Sequence, residues 1–114
     1  MVNEKIVPEQ GDIIFLDLDP RKGHEQQGIR PVIVLGNDII AKYTHVVIGA
    51  PISTTTRKLP LYQALPEGLK TEGSVLLDQI VTLDYKERNF TYIETVSDEF
   101  LDKLLNITRR IFSK

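Results

Sequence analysis

The 114-residue sequence contains no cysteine. It therefore has no disulfide framework, no thiolate nucleophile and no thiolate metal ligand, which suits a reducing compartment. The longest uninterrupted apolar runs are the four residues 13–16 and the four residues 32–35, far short of the roughly 20 residues that span a bilayer. The N-terminal letters MVNEKIVPEQ lack the charged-then-apolar pattern of a signal peptide. We therefore expect a cytoplasmic protein with no membrane segment.

The sequence also lacks an excess of positive charge. Its 14 Lys and Arg residues against 16 Asp and Glu residues give a formal net charge of −2, which argues against a polycation that binds any nucleic acid. The cations are nevertheless grouped, because residues 21–30 hold three cations and one carboxylate, and Arg57 adjoins Lys58. A selective nucleic-acid-binding protein stays compatible with this charge, since base contacts would then decide what binds.

The strand and turn pattern predicts the fold class. No repeat, low-complexity tract or linker interrupts the chain, so we expect one domain spanning residues 1–114. Short apolar segments separated by glycine, proline and asparagine predict several β-strands, and a short helix is predicted around residues 38–42. The predicted strands are 13–18, 32–35, 45–52, 59–65, which Pro60 marks as an edge strand, 75–83 and 90–96.

The last segment has a helical pattern. Ser97 is a good N-cap, Asp98 and Glu99 place negative charge in the first turn, and cations lie near the end. Apolar residues recur at three- and four-residue spacing from Leu101 to Phe112, which predicts an amphipathic C-terminal helix. Together these elements favour an α+β, mainly β fold: a small β-barrel or coiled sheet with helical decoration.

A polar loop separates the first two predicted strands. Residues 21–30 read RKGHEQQGIR and exceed the usual hairpin loop of about two to five residues. One interpretation is a solvated hairpin tip. The other is a binding loop in which Arg30, anchored at the start of a buried strand, holds a phosphate or carboxylate with two hydrogen bonds. Lys22, Glu25 and Gln26 are candidates to line the same binding site.

A second polar cluster, Ser53–Lys58, follows an apolar strand and reads STTTRK. Its hydroxyls are expected either to satisfy local backbone groups in a turn or, beside Arg57 and Lys58, to bind phosphate oxygens. One hydroxyl at a strand end opposite one arginine would form a minimal phosphodiester site. The two histidines, His24 and His45, show no known metal-ligand spacing, so we expect no metal site.

Three stretches match a known family pattern in combination and spacing. The first, GDIIFLDLDPRKGHEQQGIRPVIVL at residues 11–35, combines glycine-aspartate, aspartate-x-proline, glycine-x-glutamate-glutamine and glycine-x-arginine-proline. The others are APIST at residues 50–54 and GSVLLDQIVTLD at residues 73–84. Over nearly its whole length the chain therefore resembles the MazF/PemK toxins.

The resemblance implies a fold, an activity and partners. The fold would be a small SH3-like β-barrel of the CcdB/MazF type, assembled as a homodimer. The activity would be that of a type II toxin paired with a cognate antitoxin: a sequence-selective endoribonuclease that cleaves single-stranded RNA without metal or cofactor. The substrate 2′-hydroxyl would attack the phosphate, leaving 2′,3′-cyclic phosphate and 5′-hydroxyl ends. The alternative is a non-catalytic toxin on the same fold that binds a protein target such as DNA gyrase.

The resemblance also implies site residues. Arg30 matches the family's catalytic arginine, and Ser53 stands where many members have threonine. Thr54, one residue on, is the alternative carrier of the catalytic hydroxyl. Independently of the resemblance, Thr55 and Tyr62 are candidates, together with Gln79, for the base contacts by which single-stranded RNA is generally recognised. The expected substrate-binding residues are Lys22, Glu25, Gln26, Arg57, Lys58 and Gln79, of which Glu25 and Gln26 match the loop's glutamate-glutamine pair and Gln79 matches a glutamine associated with RNA contact.

Overall fold

The computed structural model describes residues 5–19, 23, 28–55 and 57–114. Within these ranges the chain forms seven strands, two α-helices and one 3-10 turn. None of the helices in the described ranges is long and apolar enough to cross a membrane. The elements are β1 (Asp12–Asp17), β2 (Ile29–Val34), α1 (Asp38–Thr44), β3 (Val46–Ser53), β4 (Tyr62–Ala64), β5 (Ser74–Leu76), the turn (Leu77–Gln79), β6 (Val81–Asp84), β7 (Thr91–Thr95) and α2 (Asp98–Ile111).

The strands form one antiparallel sheet in the order β4-β5-β3-β2-β1-β7, with β6 also paired to β3. The mainly β, α+β class predicted from the sequence is therefore confirmed. The predicted barrel is not closed by hydrogen bonds among the described residues, because β4 and β7 at the two ends of the sheet do not pair with each other. The edge position predicted for β4 is correct.

The single strand predicted over residues 75–83 is wrong. The structure divides it into β5, the 3-10 turn and β6, all three of which contact β3. Ile52 of β3 pairs with Val75, whereas Val46 of β3 pairs with Asp84. Between these two pairs the segment with the turn is three residues longer than β3. The interruption lets Leu77 enter the core, where it is buried.

The strand predicted to start at Val32 begins three residues earlier, at Ile29. The prediction included only the continuous apolar run of residues 32–35. In the structure β1 extends far enough to pair with this segment, and Leu16 and Asp17 lie opposite Arg30 and Ile29. The longer pairing places Arg30 inside a strand rather than in a loop.

Apolar side chains pack on both faces of the sheet, because successive residues of a strand point to opposite sides. Ile13 and Ile33 belong to the first core, which α2 covers with Phe100 and Leu104. The second core contains buried residues of β1, β2, β3 and β6 together with Ala41 of α1 and Tyr85: Ile14, Leu16, Leu18, Val32, Val34, Val47 and Leu83. The two cores make the sheet a rigid platform for any residue at its strand ends.

Both predicted helices are present, and both begin at capped residues. The Ser97 hydroxyl accepts a hydrogen bond from the Phe100 N–H at 3.2 Å, as the N-cap prediction required. The Asn37 side chain accepts from the N–H groups of Ile39 and Ile40 at the start of α1. Local capping therefore fixes where each helix begins.

Candidate nucleic-acid interface

Arg30 lies in β2, and its side chain is exposed. It pairs with Leu16 of β1, and residues directly opposite each other in antiparallel strands share one face of the sheet. Leu16 belongs to the second core, so Arg30 lies on that face. The strand holds its backbone in place, which restricts where the guanidinium can reach.

Ser53 is the last residue of β3 and is half-buried. The pairing of β2 with β3 ends at Val32 and Pro51, and two residues further along the two strands are Arg30 and Ser53. A spacing of two residues keeps each on the same face as the pair before it. The structure thus brings these two predicted residues to neighbouring strands and one face, whereas Thr54 lies beyond the end of β3 and is exposed.

Gly73 allows β5 to approach β3 at Ser53. Its φ is +124°, a backbone conformation that favours glycine. A Cβ atom at this position would lie 2.5 Å from the Ser53 carbonyl oxygen and 3.3 Å from the Thr54 nitrogen. From the sequence, Gly73 is recognised only as a glycine that precedes a predicted strand and begins the stretch 73–84. The contact with Ser53 depends on long-range pairing, so no local signal identifies it.

Arg57 and Lys58 line an open groove of about 480 Å³, and both side chains are exposed. The Thr55 hydroxyl accepts a hydrogen bond from the Arg57 N–H at 3.2 Å, which matches the interpretation of this cluster as a turn. The groove therefore places a hydroxyl-rich turn and two cations beside the outer strands of the sheet. The remaining lining residues are Leu59, Tyr62, Ala64 and Ser74, so two of the three residues suggested for base contacts, Thr55 and Tyr62, lie here.

The other predicted binding residues lie elsewhere. Gln79 is half-buried at the end of the 3-10 turn, which contacts β3, and it is not one of the residues that line the groove. Lys22, Glu25 and Gln26 lie outside the described residues. The structure therefore places the predicted cations Arg57 and Lys58 together in the groove, and Gln79 is not part of its lining.

The base of the loop between β1 and β2 is hydrogen-bonded. The Leu18 N–H donates to the Gly28 carbonyl at 2.9 Å, and the Gly28 N–H donates to Asp19 Oδ1 at 3.0 Å. The Arg88 guanidinium donates to the carbonyls of Asp17 and Asp19. The bonds to Gly28 hold the end of β1 against the start of β2, two residues before Arg30, and the Arg88 bonds tie the end of β1 to the connection between β6 and β7.

Glu94 of β7 holds the connection between β4 and β5. Its carboxylate accepts hydrogen bonds from the Lys70 N–H at 2.9 Å, the Thr71 N–H at 2.8 Å and the Thr71 hydroxyl at 2.7 Å. Burial works to raise the pKa of Glu94, but these hydrogen bonds and the Lys70 charge outweigh it and lower that pKa. Sequence reasoning did not identify Glu94, because its partners lie more than 20 residues away.

The sequence comparisons show which family the chain matches. A family described as PemK-like, MazF-like toxin of type II toxin-antitoxin system matches residues 9–112. The chain is 36% identical over 104 residues to endoribonuclease EndoA of Bacillus subtilis, covering 87% of this chain and 89% of that protein. It is 33% identical over 97 residues to the endoribonuclease toxin MazF of Escherichia coli K12, covering 85% of this chain and 86% of that protein.

The fold comparison gives the same result. The crystal structure of MazF from Deinococcus radiodurans superposes with a TM-score of 0.87 at 26% sequence identity. The match covers 94% of this chain and 97% of that one. On sequence and fold together, this chain belongs to the PemK-like, MazF-like family of type II toxin–antitoxin toxins.

Proposed function

We propose that this chain is an endoribonuclease that cleaves single-stranded RNA at selected sequences. The observation that carries the proposal is the position of Arg30 and Ser53 on neighbouring strands and one face of the sheet. The groove with Arg57 and Lys58 begins at the end of β3, so a bound strand would pass from this pair onto two further cations. The endoribonuclease names of two relatives support the same activity.

The proposed reaction uses the nucleophile of the RNA itself. The 2′-hydroxyl oxygen loses its proton and attacks the adjacent phosphorus. The bond from phosphorus to the 5′-oxygen breaks, and that oxygen takes up a proton. The products carry a 2′,3′-cyclic phosphate and a 5′-hydroxyl. Because the substrate supplies the nucleophile, the protein has to contribute only positioning and stabilisation of charge, and the scheme uses no metal or cofactor.

Arg30 and Ser53 have distinct roles in this scheme. A guanidinium stays protonated in proteins, so Arg30 acts through charge and through two N–H groups donated to the non-bridging phosphate oxygens. Ser53 donates its hydroxyl to the same phosphate. We assign this role to Ser53 rather than Thr54 because Ser53 shares the face of Arg30, whereas Thr54 follows the end of the strand.

The remaining predicted residues would bind the rest of the strand. Arg57 and Lys58 would hold flanking phosphates, and Gln79 a base edge. A homodimer of this domain, which we take to span residues 1–114, would double the length of the groove. A cytoplasmic antitoxin partner with an acidic and apolar segment would occupy the same cations. The loop residues expected to contribute are Lys22, Glu25 and Gln26.

The test is cleavage of a pool of unstructured RNA by purified protein in EDTA. We expect 5′-hydroxyl ends at a restricted set of sequences, read by ligation and sequencing after kinase treatment. Arg30→Ala should lower the cleavage rate by roughly 10²- to 10³-fold. Arg109→Ala, which removes an exposed arginine of α2, is the matched control and should cleave like the wild type.

Two results would overturn the proposal. One is a wild-type protein that cleaves no RNA in the pool, and the other is an Arg30→Ala variant as active as the wild type. A growth arrest that survives Arg30→Ala but disappears when residues 111–114 are removed would instead favour a toxin that binds a protein. Phe112, 74% exposed at the end of α2, would then belong to the contact surface.

A further inference from the structure

Three small residues form a row across the outer strands of the sheet. Ser53 of β3 pairs with Ser74 of β5, and Ser74 pairs with Ala64 of β4. Residues directly opposite each other share a face, so the three side chains lie on one side. The alternate residues Ile52 and Val75 belong to the first core, so the row lies on the face away from that core.

Tyr62 stands beside this row. It precedes Ala64 by two residues in β4 and therefore lies on the same face. Its N–H donates to the Leu59 carbonyl at 2.9 Å, and its cross-strand neighbour Leu76 is 1% exposed. The ring is therefore carried by an ordered segment of the sheet, while Ala64 and Ser74 leave open space next to it.

The groove lined by Tyr62, Ala64 and Ser74 combines an aromatic surface with positive charge. Tyr62, Leu59 and Ala64 provide apolar atoms, and Arg57 and Lys58 provide the charge. Among the described residues, those that line the groove include no acid. A flat apolar group attached to a phosphate fits these features, and a nucleotide of single-stranded RNA has this form, since its base can stack on an aromatic ring.

We propose that Tyr62 is the stacking surface for one base of the RNA and sets the base preference at that position. The inference rests on the proposed function. Two strand spacings separate β3 from β4, which is about 10 Å. The stacked base therefore belongs to a nucleotide next to the cleaved step and not to the reacting ribose, and Arg57 and Lys58 hold the phosphate beside it.

The test compares substitutions in the groove on RNA containing one cleavage site, identified by sequencing. Tyr62→Ala should raise KM by roughly 5- to 150-fold and equalise the rates for the four bases at one flanking position. Tyr62→Phe keeps the ring and should retain both KM and preference. Tyr43→Ala removes a tyrosine that is 74% exposed on α1 and is the matched control, with no expected change.

Two further measurements separate stacking from a structural role. On RNA with an abasic nucleotide at the flanking position, wild type and Tyr62→Ala should have the same KM, because the base that Tyr62 contacts is absent. Ala64→Leu keeps Tyr62 but places a larger side chain in the open space beside it, at an exposed position. This variant should raise KM in the same way as Tyr62→Ala. Thermal unfolding of each variant by circular dichroism shows that it is folded.

The outcomes distinguish this inference from the proposed function. Suppose that wild type cleaves and that Tyr62→Ala keeps the base preference, or that Tyr62→Ala raises KM on the abasic RNA as much as on the intact RNA. The stacking role is then wrong and the endoribonuclease proposal stands. If wild type cleaves nothing, binding to an RNA blocked by 2′-O-methylation is measured. Weaker binding by Tyr62→Ala, but not by Tyr62→Phe, would then support the stacking site alone. Equal binding, or no binding by the wild type, would overturn it.

Discussion

Lys5 and the cations of the groove have opposite surroundings. The Lys5 ammonium lies 2.9 Å from Glu9 Oε1 and 3.0 Å from Asp12 Oδ2, and 4.6 Å from the centre of the Tyr92 ring. Burial works to lower the pKa of Lys5, but the hydrogen bonds to Glu9 and Asp12 outweigh it and raise that pKa. This cation is neutralised by its own chain.

The carboxylate of Asp12, the buried partner of Lys5, is also paired by other groups of the chain. Asp12 is 0% exposed. Besides Lys5, it accepts hydrogen bonds from the Glu9 N–H at 2.8 Å and the Thr95 hydroxyl at 2.7 Å. A buried charge is stable only when it is paired and hydrogen-bonded, and this arrangement ties the segment before β1 to β7.

Arg57 and Lys58 differ on each of these points. Both are exposed, and neither forms a salt bridge within the part of the chain that the structure describes. Charges of this kind contribute little to stability, but they attract a phosphate. Burial and pairing therefore separate the charges that hold the fold from those that stay exposed to solvent.

The largest expected effect on stability comes from breaking the paired region. Asp12→Ala leaves the Lys5 charge without its buried partner and removes the acceptor for Glu9 N–H and Thr95. We expect the free energy of unfolding to fall by about 3–5 kcal/mol, measured by urea denaturation. Glu9→Gln removes the exposed carboxylate of the same cation and should cost less than about 1 kcal/mol. Equal losses for the two variants would contradict the distinction between them.

An intermediate effect is expected at Glu94. Glu94→Gln replaces a carboxylate that accepts three hydrogen bonds and should lower the free energy of unfolding by about 1–2 kcal/mol at neutral pH. Because the folded-state pKa of Glu94 lies below its ordinary value of 4.5, this stability is present above pH 4.5. It is lost as the pH falls from there through the lowered pKa.

The difference between wild type and Glu94→Gln should therefore shrink between neutral pH and the acid end of a series of urea denaturations. Glu67→Gln, an exposed carboxylate of the same connection, is the control and should show almost no difference at any pH. A constant difference between wild type and Glu94→Gln over the series would show that the carboxylate charge is not what stabilises this contact.

The smallest effect on stability is expected in the groove. Replacing both Arg57 and Lys58 by alanine should change the free energy of unfolding by less than about 0.5 kcal/mol. RNA binding should weaken for all sequences, and the slope of log K against log salt should become shallower by about 1.4, since each phosphate contact on a single strand contributes about 0.7. An unchanged slope of log K against log salt would show that these cations do not contact RNA phosphates.

Local patterns predicted several elements correctly. The Ser97 cap and the apolar spacing after it depend only on neighbouring residues, and α2 appears where they indicate. The α+β class followed for the same reason. Arg30 was identified from its place next to an apolar strand and from the family pattern, both of which are visible in the sequence.

Features that depend on pairing between distant strands were not predictable in this way. The division of residues 75–83 follows from the bend that lets one segment pair with two parts of β3. The early start of β2 follows from its register with β1, which places Asp17 opposite Ile29. The roles of Gly73 and Glu94 depend on contacts 20 or more residues away in sequence, and hydrophobic periodicity carries no information about such contacts.

The sequence by itself determined the helices, most of the strands, the family and the modest total charge, because caps, periodicity and motif spacing act within a few residues of each other. Only the tertiary structure decided which charges are paired and which are left exposed. Lys5 and Lys58 are the same residue type, but one lies against buried Asp12 and the other on the rim of an open groove. The physical reason is that burial and strand register are properties of the whole sheet.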